Sequence, residues 1–276
     1  MVQVGGLSGT REDFEREYEI IKENLIETSQ IPSFDETQPG GEEVRAKINA
    51  QAMQQLINKL LVRWEAELKD IQISQADIEQ EVALLRLIYG SPASFQWALQ
   101  QSYGGEEEEL RRELADRLLL ERVLVSSAPQ EFKAEEQELQ EYFQQRSTDF
   151  DRPQRFQVWQ IMATPSQLTA MDISFSEAAQ TLEGQGRARD LGYLPDREIS
   201  SKTLEGPPDF WQLVSQTPTQ LLWQKRGEEV PAVSFTYQEM APLVWRTYYG
   251  EAINRLIPQL FASLQDRYPV LVAQTP

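Results

Sequence analysis

The chain has 276 residues, of which 44 are acidic and 26 basic, so its formal net charge is −18. Such an excess of negative charge repels phosphate backbones and argues against nucleic-acid binding as the main role. The sequence contains no cysteine and no histidine, which excludes disulfides, thiol catalysis and histidine-based triads. The length allows two domains, and the mean hydropathy of −0.51 is typical of a folded protein with a well-solvated surface.

Helix starts are marked by hydroxyl residues that are followed three positions later by an acid. In this capping-box spacing the hydroxyl accepts from a free backbone amide, and the acid reaches back to the amide of the capping residue. The pattern therefore predicts four helix N-termini. The pairs are Thr10 with Asp13, Ser74 with Asp77, Ser174 with Glu177, and Thr236 with Glu239.

The first 127 residues are predicted to form an all-helical unit. Apolar residues step by four from Val44 to Leu68, which indicates one long amphipathic helix. The segment between Thr28 and Gly41 has two prolines and paired glycines, so it is predicted to be a loop. Shorter helices are predicted at 78–88, 95–99 and 110–123, with Gly104-Gly105 between the last two.

A change of period marks a second domain. Between Gln154 and Met162 the apolar residues alternate, which predicts a strand with Phe156, Val158 and Gln160 on one face. The following segment, to about Val233, is rich in proline and glycine and has short apolar runs, as in a small α+β domain. Helical periodicity then returns after Thr236, and the chain ends in an apolar strand-like segment, Val270–Val272.

Residues 139 to 193 carry an ordered set of aromatic, proline and glycine positions. They are Tyr142, Phe143, Phe150, Pro153, Phe156, Val158, Ile161, Phe175, Ala179, Asp190, Leu191, Gly192 and Tyr193. This order resembles the parvulin family of prolyl isomerases. Gln160 replaces the histidine of that family, and Ala188 and Arg189 replace its first glycine pair.

The N-terminal half carries a second pattern, made of four blocks in order. The blocks are Val4 to Thr10 with Asp13 and Phe14; Gln55, Leu56, Ile57, Leu61, Glu65 and Ala66; Ile71, Ile73, Ser74, Asp77 and Ile78; and Phe95 with Leu99. Their order and spacing resemble the SurA-type and PrsA-type extracytoplasmic foldases. In these proteins a helical chaperone domain holds an inserted parvulin domain, and a C-terminal helix rejoins the first domain.

The resemblance implies a fold that is mostly α plus α+β. A helical SurA-N-like chaperone domain, residues 1–128 and 235–276, would hold the inserted parvulin-like domain, residues 129–234, and a C-terminal helix and strand would return to the helical domain. We expect Val2–Val4 to pair with Val270–Val272 in that arrangement. The alternative is a plain two-domain helical protein whose terminal strand pairs elsewhere.

The parvulin resemblance also implies a degenerate pocket. Gln160 stands at the first histidine and can still form hydrogen bonds, while an ungapped register puts Leu222 at the second histidine. The aspartate or cysteine of the family falls near Leu182 or Glu183. Each pocket residue can equally be an ordinary core or strand residue, and no catalytic residue, cofactor or metal site is assigned. The pocket positions are Gln160, Met162, Ile199, Phe210 and Leu222.

Four aromatic residues of the predicted helical domain are candidates for contact with a client polypeptide. Aromatic side chains supply large apolar contact area, which a chaperone groove requires, although at helical spacing they more often belong to the core. These candidates are Trp64, Phe95, Trp97 and Tyr103.

The predicted function is that of an ATP-independent chaperone that binds unfolded or extended secreted polypeptides and carries a parvulin domain without efficient activity. One alternative is a working prolyl isomerase whose apolar pocket suffices without histidine. Another is an assembly or scaffold protein with one fixed partner. Whether the chain is an enzyme is left open, and the loss of the histidines argues against it.

Localisation is predicted from the resemblance alone, as periplasmic or at the cell surface. No apolar run reaches the roughly 18 residues of a membrane helix. Residues 1–6 lack the basic and apolar regions of a signal peptide. Membrane anchoring would therefore depend on a segment outside this sequence, and the oligomeric state stays open.

Overall fold

The computed structural model describes residues 2–28, 41–171 and 175–272. The predicted loop between Thr28 and Gly41 and the predicted capping box at Ser174 lie outside the described residues. The helices are α1 Arg11–Thr28, α2 Gly41–Leu68, α3 Gln75–Tyr89, α4 Pro92–Tyr103, α5 Glu107–Ser127, α6 Glu136–Gln145, α7 Ser147–Phe150, α8 Pro165–Met171, α9 Phe175–Gly184, α10 Ser201–Glu205, α11 Tyr237–Tyr248 and α12 Gly250–Arg267. The strands are β1 Val2–Val4, β2 Leu7–Gly9, β3 Arg155–Ala163, β4 Arg189–Pro195, β5 Gln212–Gln216, β6 Leu221–Val230 and β7 Val270–Val272.

The chain divides into two compact units. The helical unit comprises Met1–Ile78, Arg112–Ala134 and Arg246–Pro276, and the mixed unit comprises Glu79–Arg111 and Glu135–Trp245. The predicted fold class, mostly α with an α+β part, is confirmed. The domain limits given above, 1–128 with 235–276 and 129–234, stay a prediction.

The capping boxes within the described residues form as predicted. At the start of α1, Thr10 donates from its backbone amide to Asp13 Oδ2 over 2.9 Å, and the Asp13 amide donates to Thr10 Oγ1 over 3.1 Å. Ser74 and Asp77 make the same reciprocal pair. Thr236 and Glu239 make it at α11. These bonds satisfy amides that a helix terminus otherwise leaves without a partner.

The predicted long helix is α2, and its four-residue apolar repeat faces the core of the helical unit. Ile48, Ala52, Leu56 and Leu60 are all buried. The main core cluster joins α2 to β1, to α5 and to α12, because a stripe of this width must be covered on more than one side. Its buried members include Leu61, Val123, Leu124, Leu256, Leu260 and Leu264.

The predicted pairing of the two ends of the chain is confirmed. In the three-stranded sheet of the helical unit, β1 lies between β2 and β7. Val2 pairs with Val272, Gln3 with Leu271 and Val4 with Val270, all antiparallel. Val2 and Val4 are almost completely buried, so their side chains belong to the same core as α2.

A buried carboxylate joins α2 to the C-terminal part of this unit. Glu65 is only 1% exposed, and its Oε2 accepts a hydrogen bond of 2.6 Å from the Tyr268 hydroxyl. Its Oε1 lies 3.1 Å from Lys69 Nζ and 3.2 Å from Arg267 Nη2. Burial raises the pKa of Glu65, but the bonds from Tyr268, Lys69 and Arg267 outweigh it and hold the pKa below its ordinary value.

The mixed unit contains a four-stranded antiparallel sheet in the order β4-β3-β6-β5. The predicted strand is β3, and its alternation produces two apolar faces. Phe156 and Val158 pack with Ile199 on one face. Ile161 and Ala163 pack on the other, against α8, α9 and strand residues of β6. The candidate pocket residue Gln160 belongs to the first face, which is called the glutamine face below.

Candidate functional sites

A pocket lies in the helical unit among α1, α2, α5 and α12. Its volume is about 350 Å³, which is within the range of small-ligand pockets. The apolar part of its lining comes from Ile20, Val62, Leu119, Leu120 and Phe261. Ile20 is 36% exposed although it is a large apolar residue, which places it at the accessible edge of the pocket.

Charged groups occupy the other part of this pocket. Lys59 Nζ lies 2.5 Å from Glu17 Oε1 and 3.5 Å from Asp116 Oδ2, and Arg63 Nη2 donates to Asp116 Oδ1 over 2.8 Å. Each of these cations therefore has an acidic partner within the lining. The pocket combines an apolar surface with polar groups that are already fixed in position, which is the composition expected of a binding site.

Two residues of the lining each have a buried side-chain atom that makes no hydrogen bond within the described residues, Oε2 of Glu17 and Nε of Arg117. Glu17 is 3% exposed, and within the described residues its Oε2 has no hydrogen-bond partner. Leaving a buried acceptor unsatisfied costs about 1–3 kcal/mol, and more for a charged group. This feature is not visible from the sequence alone, because Glu17 is one of several acids along α1.

In the mixed unit, glutamines form a row across the glutamine face. Gln160 of β3 pairs with Gln224 of β6, which in turn pairs with Gln212 of β5. Residues directly opposite each other in antiparallel strands project to the same side of the sheet. The residues beside Gln160 are therefore Gln224 on β6 and Arg189 on β4, and Leu222 lies one row further along β6. Sequence reasoning missed Gln224 because an ungapped register cannot locate a strand pair.

Gln224 is anchored through its oxygen. Its Oε1 accepts bonds from the Ser200 amide over 3.4 Å and from Thr203 Oγ1 over 3.3 Å, and the side chain is 9% exposed. Both acceptor positions of that oxygen are used, so a bond from Gln224 to a ligand must come from its amide nitrogen. Neither amide of the Gln160–Gln224 pair takes up or releases a proton near neutral pH. The pair can orient a peptide group but cannot act as a general acid or base.

The remaining predicted pocket residues occupy different environments. Met162 is 48% exposed at the end of β3 and pairs with Leu222, so these two extend the glutamine face by an apolar row. Ile199 is buried in the core beneath the same face. Phe210 is 60% exposed and precedes β5. Gln160, Met162 and Leu222 thus share one face, with Ile199 below them, and no contact places Phe210 in this group.

The acid expected near residue 182 or 183 lies on the other face of the sheet. Leu182 is fully buried in the cluster of Ile161 and Trp223. Glu183 Oε1 accepts from Lys225 Nζ over 2.5 Å, and its Oε2 accepts from Trp211 Nε1 over 2.7 Å. These two bonds lower the pKa of Glu183. The carboxylate is therefore ionised and committed away from Gln160.

Three of the four aromatic candidates for client contact have close packing partners. The Trp64 indole lies against the β1–β2 turn, where a Cβ on Gly5 would approach within 2.3 Å of the ring. Phe95 is 7% exposed, below the Arg86 guanidinium. The rings of Trp97 and Tyr193 meet edge to face at 6.4 Å.

These candidates are also divided between the two units. Trp64 belongs to the helical unit, whereas Phe95, Trp97 and Tyr103 belong to the mixed unit. Tyr103 is partly buried at the end of α4. A role for any of the four in client contact stays a prediction.

The described residues contain neither a metal-binding cluster nor a helix that could span a membrane. Across 2–28, 41–171 and 175–272, no group of acidic side chains is arranged to hold a metal ion. In the same part of the chain, every helix is too short or too polar to cross a bilayer. The candidate sites are therefore the pocket of the helical unit and the glutamine face of the mixed unit.

Solved structures resemble this chain at low sequence identity. One of the two SurA-like chaperones PEB4 and Cj1289 of Campylobacter jejuni aligns over 99% of this chain and 98% of its own, at 12% identity and a TM-score of 0.37. PrsA from Lactococcus lactis aligns over 99% of this chain and 94% of its own, at 11% identity and a TM-score of 0.37. PrsA from Bacillus subtilis aligns over 82% of this chain and 87% of its own, at 13% identity and a TM-score of 0.29. Scores of this size do not establish a shared arrangement of the whole chain.

A protein-family model gives the more specific result. None of the curated proteins matches the sequence. Residues 1–124 match the family described as the SurA-like N-terminal domain. All residues that line the pocket of the helical unit, except Phe261, lie within this range. The resemblance predicted from the four sequence blocks of this part of the chain is therefore confirmed.

Proposed function

We propose that this protein is an ATP-independent chaperone that binds unfolded or extended secreted polypeptides through the pocket of its helical unit. The pocket carries the proposal, because it joins an accessible apolar surface to fixed charges within the SurA-like N-terminal domain. The SurA-like family supports a chaperone or foldase role in general. The site of action is the periplasm or the cell surface, which follows from the same resemblance.

In this proposal the mixed unit binds polypeptide without efficient isomerase activity. Rotation about a prolyl bond meets a barrier of about 20 kcal/mol, which an enzyme lowers by stabilising the twisted amide. The glutamine face offers neutral amides and an apolar row, which can hold a peptide. It offers no carboxylate beside Gln160, since the residues paired with Gln160 are Gln224 and Arg189 and Glu183 is committed to Lys225 and Trp211 on the opposite side.

The chaperone role is tested by aggregation of a defined client. Chemically denatured, reduced lysozyme is diluted into buffer with and without the protein, in the absence of ATP, and light scattering is recorded. The proposal expects scattering to fall in proportion to the protein added. Undiminished scattering at a several-fold excess of the protein would show that it does not hold unfolded chains.

The isomerase alternative needs a separate measurement. Exchange NMR on short proline-containing peptides reads the cis–trans exchange rate and the binding shifts in one experiment. We expect shifts with an unchanged exchange rate. Accelerated exchange at catalytic amounts of protein would instead make the mixed unit a working isomerase. Binding of one saturable partner, with no effect on denatured lysozyme, would favour the scaffold alternative.

A further inference from the structure

The unsatisfied oxygen of Glu17 indicates what the pocket binds. Glu17 lines the pocket, and the Oε2 atom of its buried side chain has no hydrogen-bond partner among the described residues. A buried carboxylate oxygen is normally satisfied by a donor of the protein or by a ligand. Because Glu17 lines the pocket, a rotation of its side chain would bring Oε2 within reach of a donor on an incoming molecule.

The cations of the pocket itself are already committed. Lys59 is shared between Glu17 Oε1 and Asp116, and Arg63 reaches Asp116 Oδ1 through both Nε and Nη2. Arg117 pairs with Glu121, with Nε 3.9 Å from Glu121 Oε1, although this Nε makes no hydrogen bond among the described residues. Glu113 adds an exposed acid to the same lining. The group that best complements Oε2 is therefore a new cation rather than a neutral or anionic one.

The apolar part of the pocket supplies the second requirement. Ile20, Val62 and Phe261 present hydrocarbon surface next to the Glu17 carboxylate, in a volume of about 350 Å³. Such a space holds one large side chain together with the aliphatic stem of a neighbouring one. A long basic side chain can lie along this surface while its charged end reaches the carboxylate.

We propose that the pocket binds extended polypeptide segments in which a large apolar residue is adjacent to lysine or arginine, with the basic group donating to Glu17 Oε2. This assignment rests on the proposed chaperone function and names its client class. The net charge of −18 also favours basic segments, because it raises the local concentration of cationic polypeptides and repels acidic ones.

The test compares three short fluorescein-labelled peptides of glycine and serine with a central Phe-Lys, Phe-norleucine or Phe-Glu pair. Fluorescence anisotropy at physiological ionic strength gives each affinity. A hydrogen bond to a charged group corresponds to about a tenfold change in affinity, so we expect Phe-Lys to bind about tenfold more tightly than Phe-norleucine. The Phe-Glu peptide is expected to bind most weakly.

Variants assign the preference to the pocket. Glu17→Gln is expected to remove most of the lysine preference while binding of Phe-norleucine is retained. Glu19→Gln is the matched control, because Glu19 is an exposed acid on the same helix and its loss changes net charge equally. Ile20→Trp fills the accessible edge of the pocket and is expected to weaken the binding of all three peptides. Circular dichroism shows whether each variant is folded. If Glu17→Gln does not fold, Ile20→Trp alone decides whether the pocket is used.

Three results would overturn the inference. Equal affinity for Phe-Lys and Phe-norleucine would mean that Oε2 needs no cationic donor. An unchanged lysine preference in folded Glu17→Gln, or unchanged peptide binding in folded Ile20→Trp, would place the contact elsewhere. Each of these results leaves the chaperone function standing if the wild-type protein still suppresses lysozyme aggregation. Failure of that suppression overturns the proposed function instead.

Discussion

Replacing Tyr268 by phenylalanine isolates one bond in the core of the helical unit. The change removes the hydroxyl that donates to Glu65 Oε2 over 2.6 Å and leaves the ring, which lies 5.2 Å from the Arg267 guanidinium, in place. Glu65 is 1% exposed, so solvent cannot replace the lost donor. A hydrogen bond to a charged group contributes about 1.5–3 kcal/mol, and we expect the free energy of unfolding of the helical unit to fall by this amount.

The pH dependence of this loss has a defined sign. The folded pKa of Glu65 is held below its ordinary value, so its stabilising contribution is present above the unfolded pKa of about 4.3 and is lost as pH falls through the folded pKa. The difference in the free energy of unfolding between wild type and Tyr268→Phe should therefore become smaller in acid. The effect of Tyr268→Phe should also be smaller in a protein that already carries Glu65→Gln, and the four proteins together form a double-mutant cycle.

Urea denaturation followed by circular dichroism measures this change, and amide hydrogen exchange in β1 and β7 reports it locally. The reasoning is refuted if Tyr268→Phe unfolds at the same urea concentration as wild type at neutral pH. It is refuted equally if the loss persists undiminished below the folded pKa of Glu65.

Three further predictions concern both units. Gly192→Ala should lower the free energy of unfolding of the mixed unit by more than about 1 kcal/mol in urea titrations, because φ is +78° and the added Cβ would approach within 2.2 Å of the Trp97 ring. Val4→Ala should destabilise the helical unit by about 2 kcal/mol in the same assay, since Val4 is fully buried in its core. Any cis–trans exchange that the mixed unit does catalyse should have the same rate, measured by NMR, at every pH between about 5 and 8. Histidine is the side chain that ordinarily titrates in this range, the sequence contains none, and the Gln160–Gln224 pair does not titrate there. A bell-shaped dependence of the rate on pH would contradict this prediction.

Short-range patterns predicted much of the fold. The capping boxes at Thr10, Ser74 and Thr236 depend only on neighbouring residues, and they form as the sequence indicates. The apolar repeat of α2 likewise marks its buried side. The pairing of Val2–Val4 with Val270–Val272 joins distant parts of the chain, and it could be predicted because a family resemblance supplied the arrangement.

The sites depended on information that a single sequence does not contain. Which residue lies beside Gln160 is decided by strand register, and the irregularities that the pairing shows at Phe156 and Val158 shift that register. Glu17 was missed for a different reason. Its missing partner becomes visible only when four helices meet around it, because α1 alone shows one acid among many.

The position of β1 between β2 and β7 has a consequence for the order of folding. During synthesis β1 and β2 emerge before the mixed unit, but the strand that covers the free edge of β1 is made only after it. Until then β1 exposes unpaired backbone groups, and the closing contact carries a large loop entropy. The mixed unit can complete its own sheet earlier, from segments closer in sequence. We therefore expect the helical unit to reach its native structure last.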